Sequence, residues 1–192
     1  MPGVLVVQAG NRIDGPDRAR ARFPSDRERA VADRLGELLD VLVPEGVVTS
    51  AAAGADLLMV EAADKRQVPV HLVLPFPRAR FRVMSVEDRG ARWVAAFDQA
   101  LARADESGSL VELDLEPDVD GLHAGNQALL DHASARARTG LLAVAVRPAG
   151  GDDPPSVTDD FVRRAGDAGL FVIEVDPRRR ADELAARRPS AS

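Results

Sequence analysis

The chain has no cysteine, which excludes a disulfide scaffold, a thiolate-ligated zinc or iron–sulfur centre, and thiol nucleophile chemistry. Aromatic residues make up only 4% of it. Long apolar runs are missing too. LLAVAV at 141–146 is among the longest, far short of the roughly 20 residues that a membrane-spanning helix needs. No basic segment precedes the first apolar run, MPGVLVVQAG, so the start is expected to be a buried strand and not a secretory signal. Nor is there a positive balance: the net charge is -6 and the pI about 5.1, without the global pull toward nucleic acid or anionic membrane that a basic chain exerts. What remains is a 192-residue chain, 45% hydrophobic and 29% charged, expected to be a soluble cytoplasmic α/β protein with no membrane partner. That length suits one domain able to bury about 70% of its extended surface.

Short apolar runs rich in β-branched residues recur along the chain, at Val4–Ala9, Gly46–Ser50, Val68–Leu74, Leu110–Leu115, Leu141–Val146 and Leu170–Val175. Each is short enough for a strand covered on both faces. Between the first two, Val31, Leu35, Leu38, Leu39 and Leu42 share one helical face, ended by Pro44 and Gly46. Ser25 and Glu28 have the spacing of a capping box before it. Further helices are expected at about Ala55–Lys65, Arg92–Ala104, Leu122–Ala137 and Thr158–Ala168. Strand and helix alternate throughout, which predicts a three-layer α/β, Rossmann-like fold: a mostly parallel six-stranded sheet with helices on both faces. One domain should span residues 1–177. The Arg-rich tail 178–192 holds at most a short helix, Ala181–Arg187, before it frays.

Ligands in such sheets bind beyond the carboxyl ends of the strands, where strand order reverses, so the loops after the strands carry the candidate site. After the first strand, Gly10 permits close backbone approach and Arg12 offers a planar fork of donors to a phosphate; the alternative is a plain turn with a surface arginine. After the second, SAAAGADLLMVEAA (50–63) joins a run of tiny residues to a helix start. Bare amides around Gly54 and Ala55 would favour an anion there, with Ser50 at the strand end. Asp56 would cap that helix or accept from a ligand hydroxyl; tight helix–sheet packing explains the alanines equally well.

The third loop, LPFPRARFRVMS (74–85), is fixed by Pro75 and Pro77. Phe76 and Phe81 either close over a base or plug the core. Arg78, Arg80 and Arg82 alternate, so in an extended segment they share one side, facing phosphate or water. In the loop after the fifth strand, Gly150 and Gly151 give freedom, and Ser156 with Asp159 has capping-box spacing. Asp152, Asp153, Asp159 and Asp160 would repel a bare phosphate unless a divalent cation such as Mg2+ came with it. His123 and His132 stand on opposite sides of a helix and His71 lies in a strand, so structural roles are expected for all three and no metal site.

Together, the Gly-x-Arg after the first strand, the SAAAGADLLMVEAA block, the LPFPRARFR block and the Gly-rich fifth loop resemble the SLOG superfamily. These Rossmann-like domains are related to the Lonely Guy phosphoribohydrolases and to the DNA-processing protein A core. The resemblance covers roughly residues 3–176 and implies binding of nucleotides or nucleotide derivatives, often as a sensor beside a separate effector protein. Position by position it implicates Gly10, Arg12, Ser50, Gly54, Asp56, Glu61, Pro75, Phe76, Gly150, Gly151, Ser156 and Thr158. It also favours a homodimer.

The chain departs from the active phosphoribohydrolases in two places. Asn126 and Gln127 stand where those enzymes carry an arginine, and the third residue after Thr158 is Phe161 instead of a glutamate. Losing a charge-stabilising arginine removes much of such a rate. The expectation is therefore a nucleotide-binding module without efficient catalysis. The alternatives are an N-glycosidic hydrolase with Glu61 or one of the loop acids as its base, and an oligomeric scaffold with a vestigial crevice.

Overall fold

The protein is described here from a computed structural model, which covers residues 3–150 and 155–179. Gly151, Asp152, Asp153 and the 181–187 helix lie outside the described residues. The strands are β1 (Leu5–Gly10), β2 (Gly46–Thr49), β3 (Val70–Leu74), β4 (Leu110–Glu112), β5 (Leu141–Val146) and β6 (Val172–Val175). They form one six-stranded, wholly parallel sheet in the order β4-β3-β2-β1-β5-β6. The helices are α1 (Glu28–Leu42), α2 (Ala55–Asp64), α3 (Arg78–Ser85), α4 (Ala91–Ser107), α5 (Val119–Arg136) and α6 (Val157–Asp167). This is a three-layer Rossmann-like α/β architecture. Among the described residues, no helix is long and apolar enough to cross a membrane.

Two-sided burial explains the unbroken apolar strands. Successive side chains point to opposite faces. Val6, Val47, Leu72, Val144 and Val146 thus enter one core with Leu35 of α1, Leu57 and Leu58 of α2, and Phe97 of α4. Leu5, Val7, Val48, Val73, Ala143 and Ala145 enter the other with Leu129 and Leu130 of α5 and Phe161 and Ala165 of α6. The chain winds outward from β1 to β4, and α5 then returns it to β5 on the far side of β1. Strand order therefore reverses between β1 and β5, whose ladder is in register from Leu5–Leu141 to Gly10–Val146.

Two local expectations are overturned. The segment after Pro77 is a helix, not an extended strap: Pro77 stands just before its first turn, and Phe81 and Ser85, four apart, are its buried face. Arg78 and Arg82 flank that buried face on the same side of the helix, and the exposed Arg80 stands opposite. Arg78 bridges Asp105 and Glu112 at 2.6 and 2.7 Å, and Arg82 lies 3.1 Å from Glu87 and 3.4 Å from Asp98. These acids fix the arginines along the helix and break the expected three-Arg face.

The second concerns Ser25 and Glu28, which make no capping box. Ser25 opens a 3-10 turn in which the Arg27 amide donates to Pro24 O at 3.0 Å, and Glu28 is drawn off to Arg92 at 2.7 Å. The Ser156–Asp159 box on α6 does form. The Asp159 amide donates to Ser156 Oγ at 3.2 Å, and the Ser156 amide donates to Asp159 Oδ2 at 2.6 Å.

Candidate functional site

A cavity of about 270 Å3 opens at the carboxyl ends of β1, β2 and β3, against the start of α6 and the flank of α5. It adjoins the point where strand order reverses, on the β2 side of β1. Its approach is tight: a Cβ on Gly10 would lie 2.3 Å from Ala55 Cβ and 2.9 Å from Val146 Cβ, so only glycine lets β1 end between α2 and β5.

The loop after β1 builds one wall. Asp14 Oδ2 accepts from the amides of Arg22 and Phe23, both at 2.9 Å, and the Asp14 amide donates to Phe23 O at 2.8 Å. That closes residues 14–23 into a loop anchored by the fully buried Phe23 ring. Arg18 and Arg22 are thereby held on the cavity wall. Arg89, from the turn after α3, donates through Nε to Ile13 O at 2.7 Å and pairs with Asp88 at 2.6 Å; Asp88 also pairs with Arg12. Arg12, Arg18, Arg22 and Arg89 all line the cavity, whereas among the described residues Asp56 is the one carboxyl that does. Burial, followed by the charges of Arg89 and Arg18, pulls the Arg12 guanidinium below its ordinary value, against the opposing pull of Asp88. Arginine stays charged under such pressure. The wall is a crowded group of cations.

The floor is polar and largely buried. Asp56 is only 4% exposed, and burial pushes its carboxyl up to about 7 in spite of the hydrogen bonds it receives. Gln8 Nε2 and the Ala52 amide reach it at 3.3 Å each, and Thr49 Oγ1 donates to Gln8 Oε1 at 2.5 Å. Ser50 Oγ donates to Val73 O at 3.1 Å at the end of β2. Asn126 Nδ2 donates to Val157 O at 2.8 Å and to Asp160 at 3.1 Å, tying α5 to the first turn of α6. Thr158 Oγ1 donates to Asn11 Oδ1 at 2.8 Å.

Of the residues singled out from sequence, the cavity gathers Gly10, Arg12, Ser50, Asp56, Pro75, Ser156 and Thr158. The others stand elsewhere. Glu61 lies along a separate groove with Asp33 and Glu37 and faces Arg92 at 3.2 Å. Arg82 is taken by its acids on α3. Phe76 is fully buried in the core and cannot cover a base, while the buried Phe81 is part of the cavity wall. Gly150 is exposed and outside the cavity. Asp159 is occupied by the α6 cap and by Arg147 at 2.5 Å.

The tiny-residue turn needs the largest correction, because the amides of Ala52, Ala53 and Ala55 are already paired within the protein. Those of Ala53 and Ala55 donate to Ser85 O at 2.9 Å and Asn11 O at 3.3 Å, and that of Ala52 donates to Asp56. Gly54 and Arg12 form an antiparallel bridge that seals the turn beneath residues 11–13. Gly54 and Ala55 thus support the wall from behind. Nor does Asp56 cap its own helix, since its carboxyl turns back to the Ala52 amide.

Sequence reading missed Asn11, Arg18, Arg22 and Arg89 as site residues. The first three sit in the loop it had already marked after β1, so the position was available but the side chains were not singled out. Asn126 stands out in the sequence only as a substitute for arginine. Among the described residues, no three His, Asp or Glu side chains gather as a metal site; His71 and His132 only approach each other, with ring centroids 6.2 Å apart. Compared with known proteins, the chain matches no protein-family model and no curated protein.

Proposed function

We propose that this protein binds a nucleotide or nucleotide derivative in the cavity at the carboxyl ends of β1, β2 and β3, as a sensor-type module without efficient catalysis. The supporting observation is the cluster of Arg12, Arg18, Arg22 and Arg89 on the wall of a small cavity beside the strand-order reversal. Guanidinium groups match phosphate geometry with paired donors, and crevices of this kind hold phosphorylated ligands in doubly wound sheets. The phosphate sits on the arginine wall, and the less charged part of the ligand reaches toward Ser50, Asp56 and Asn126. This replaces the turn at 51–55 as the anion's seat, and the resemblance to the SLOG superfamily fits it. The cytoplasm is the compartment this reading implies. A separate effector protein and a second copy of the chain are its natural partners, and Mg2+ would enter only with a phosphate.

A thermal-shift screen with nucleoside mono-, di- and triphosphates, dinucleotides and cyclic nucleotides tests the reading. Binding linkage gives about 2.7 kcal/mol of stabilisation at a hundredfold excess over Kd, which raises Tm by several degrees. No rise with any of them contradicts it.

A second reading, hydrolysis of an N-glycosidic bond, is favoured by one observation. Asp56 faces the cavity with its carboxyl near 7, the range suited to a general acid or base. It takes the role that sequence had assigned to Glu61. Release of free ribose or ribose phosphate on incubation with a nucleotide decides for it.

A further inference from the structure

Asn11 is the first residue beyond β1. It lines the cavity and is only 7% exposed. Its backbone is committed on both sides, the amide donating to Val146 O at 2.8 Å and the carbonyl accepting from the Ala55 amide at 3.3 Å. The residue is thus pinned between the ends of β1 and β5 and the start of α2. Its side chain is half committed. Oδ1 accepts from Thr158 Oγ1, but Nδ2, shielded from solvent, has no partner.

The neighbouring amides behave differently: Asn126 Nδ2 donates twice, and Gln8 Nε2 reaches Asp56. A buried donor left unanswered weakens the fold, and few such groups survive in native proteins without a reason. Turning the Asn11 amide over would let Nδ2 donate to Thr158 Oγ1 but leave Oδ1 unanswered in its place, so in either orientation one polar atom of this side chain lacks a partner.

The direction of the side chain indicates what would answer it. Residues 11–13 run as an extended bridge against Gly54, in which successive side chains point to opposite sides. Arg12 turns to Asp88 and the arginine wall, whereas Asn11 turns to Thr158 at the start of α6. Asn11 and Arg12 thus hold their side-chain donors on different sides of this segment.

We infer that Asn11 is the residue that reads the uncharged part of the ligand, with Nδ2 donating to a sugar oxygen or to a carbonyl or ring nitrogen of a base, and Thr158 fixing its orientation. This rests on the nucleotide reading of the cavity and names the atom through which nucleotide is told from bare phosphate. The test follows the side-chain amide resonance of Asn11 in the full chain, identified by its absence in Asn11→Ala, during titration with AMP, GMP, CMP, UMP and inorganic phosphate.

At least one nucleotide should shift that resonance and slow its hydrogen exchange, and phosphate should not. Asn11→Ala should weaken that nucleotide about tenfold and change phosphate affinity less than twofold. Its Tm should stay close to that of the parent, because the lost Thr158 bond is offset by removal of the orphan donor. A nucleotide that saturates the parent protein while the Asn11 resonance stays still overturns this assignment alone. So does an equal loss of phosphate and nucleotide affinity in Asn11→Ala. If no nucleotide saturates the parent protein at millimolar concentration, the function reading fails and the role of Asn11 goes with it.

Discussion

Replacing Asp56 by asparagine should stabilise the protein at alkaline pH and leave it nearly unchanged in acid. The Asp56 carboxyl is buried, and its value rises from 3.8 to about 7 because burial outweighs the bonds from Ala52, Gln8 and Gly10. Below 3.8 the folded and unfolded chains both hold the proton, and the group adds no pH dependence. Between 3.8 and about 7 the unfolded chain ionises while the folded one keeps its proton, so folding weakens as pH rises. At 1.36 kcal/mol per pH unit, the cumulative loss reaches about 4 kcal/mol by pH 7 and is constant above it.

Asparagine carries no charge and escapes that loss. It does set an amide donor near Gln8 Nε2, at a cost of about 1 kcal/mol unless Gln8 turns over against Thr49, whose hydroxyl serves as donor or acceptor. Thermal melts of both proteins from pH 4 to 8.5 read the effect, and every other carboxylate cancels in the difference. With roughly 2–4 °C per kcal/mol at this size, Asp56→Asn should melt level with or slightly below the parent at pH 4 and about 5 °C or more above it at pH 8. A difference that stays flat with pH, or falls as pH rises, refutes the reasoning.

Three other outcomes follow from the same geometry. Gly54→Ala should cost about 3 kcal/mol or more by denaturant melts, since φ there is +130° and the new Cβ would stand 2.4 Å from the Ile13 amide nitrogen. Ser156→Ala removes half of the α6 capping box and should cost about 1 kcal/mol in the same assay. Arg12→Ala and Arg89→Ala should each weaken nucleotide binding about 10- to 100-fold by calorimetry, the worth of a charge-assisted hydrogen bond. The affinity that remains should depend less on salt. Unchanged affinity in both variants removes the arginine wall from the ligand site.

Much of the fold was legible because its strands are apolar on both faces: Val6 and Val7 serve opposite cores, and such runs announce a covered parallel sheet. Helix α3 was missed because two prolines and alternating arginines favoured an extended reading. The deciding signal, Phe81 and Ser85 four apart, was too short to stand out. The candidate site was harder to see. Its arginines come from the loop after β1 and from the turn after α3, and they meet through Asp88 and Ile13 O, contacts between residues 76 apart in the chain. The turn at 51–55 misled for the same reason. Its composition suggested open amides, but the strand-like pairing of residues 11–13 over it is a tertiary event that no local window contains. Glu61 has suitable chemistry but belongs to another surface of α2, where Arg92 meets it.

The arginine-walled cavity as a phosphate seat is the claim on which the functional account stands. Its most direct test is a crystal structure grown with whichever nucleotide raises Tm most. The account predicts density in the cavity at the carboxyl ends of β1, β2 and β3, with phosphate oxygens within hydrogen-bond reach of Arg12 and Arg89. Nucleotide density at another surface, with this cavity holding only water, would contradict it.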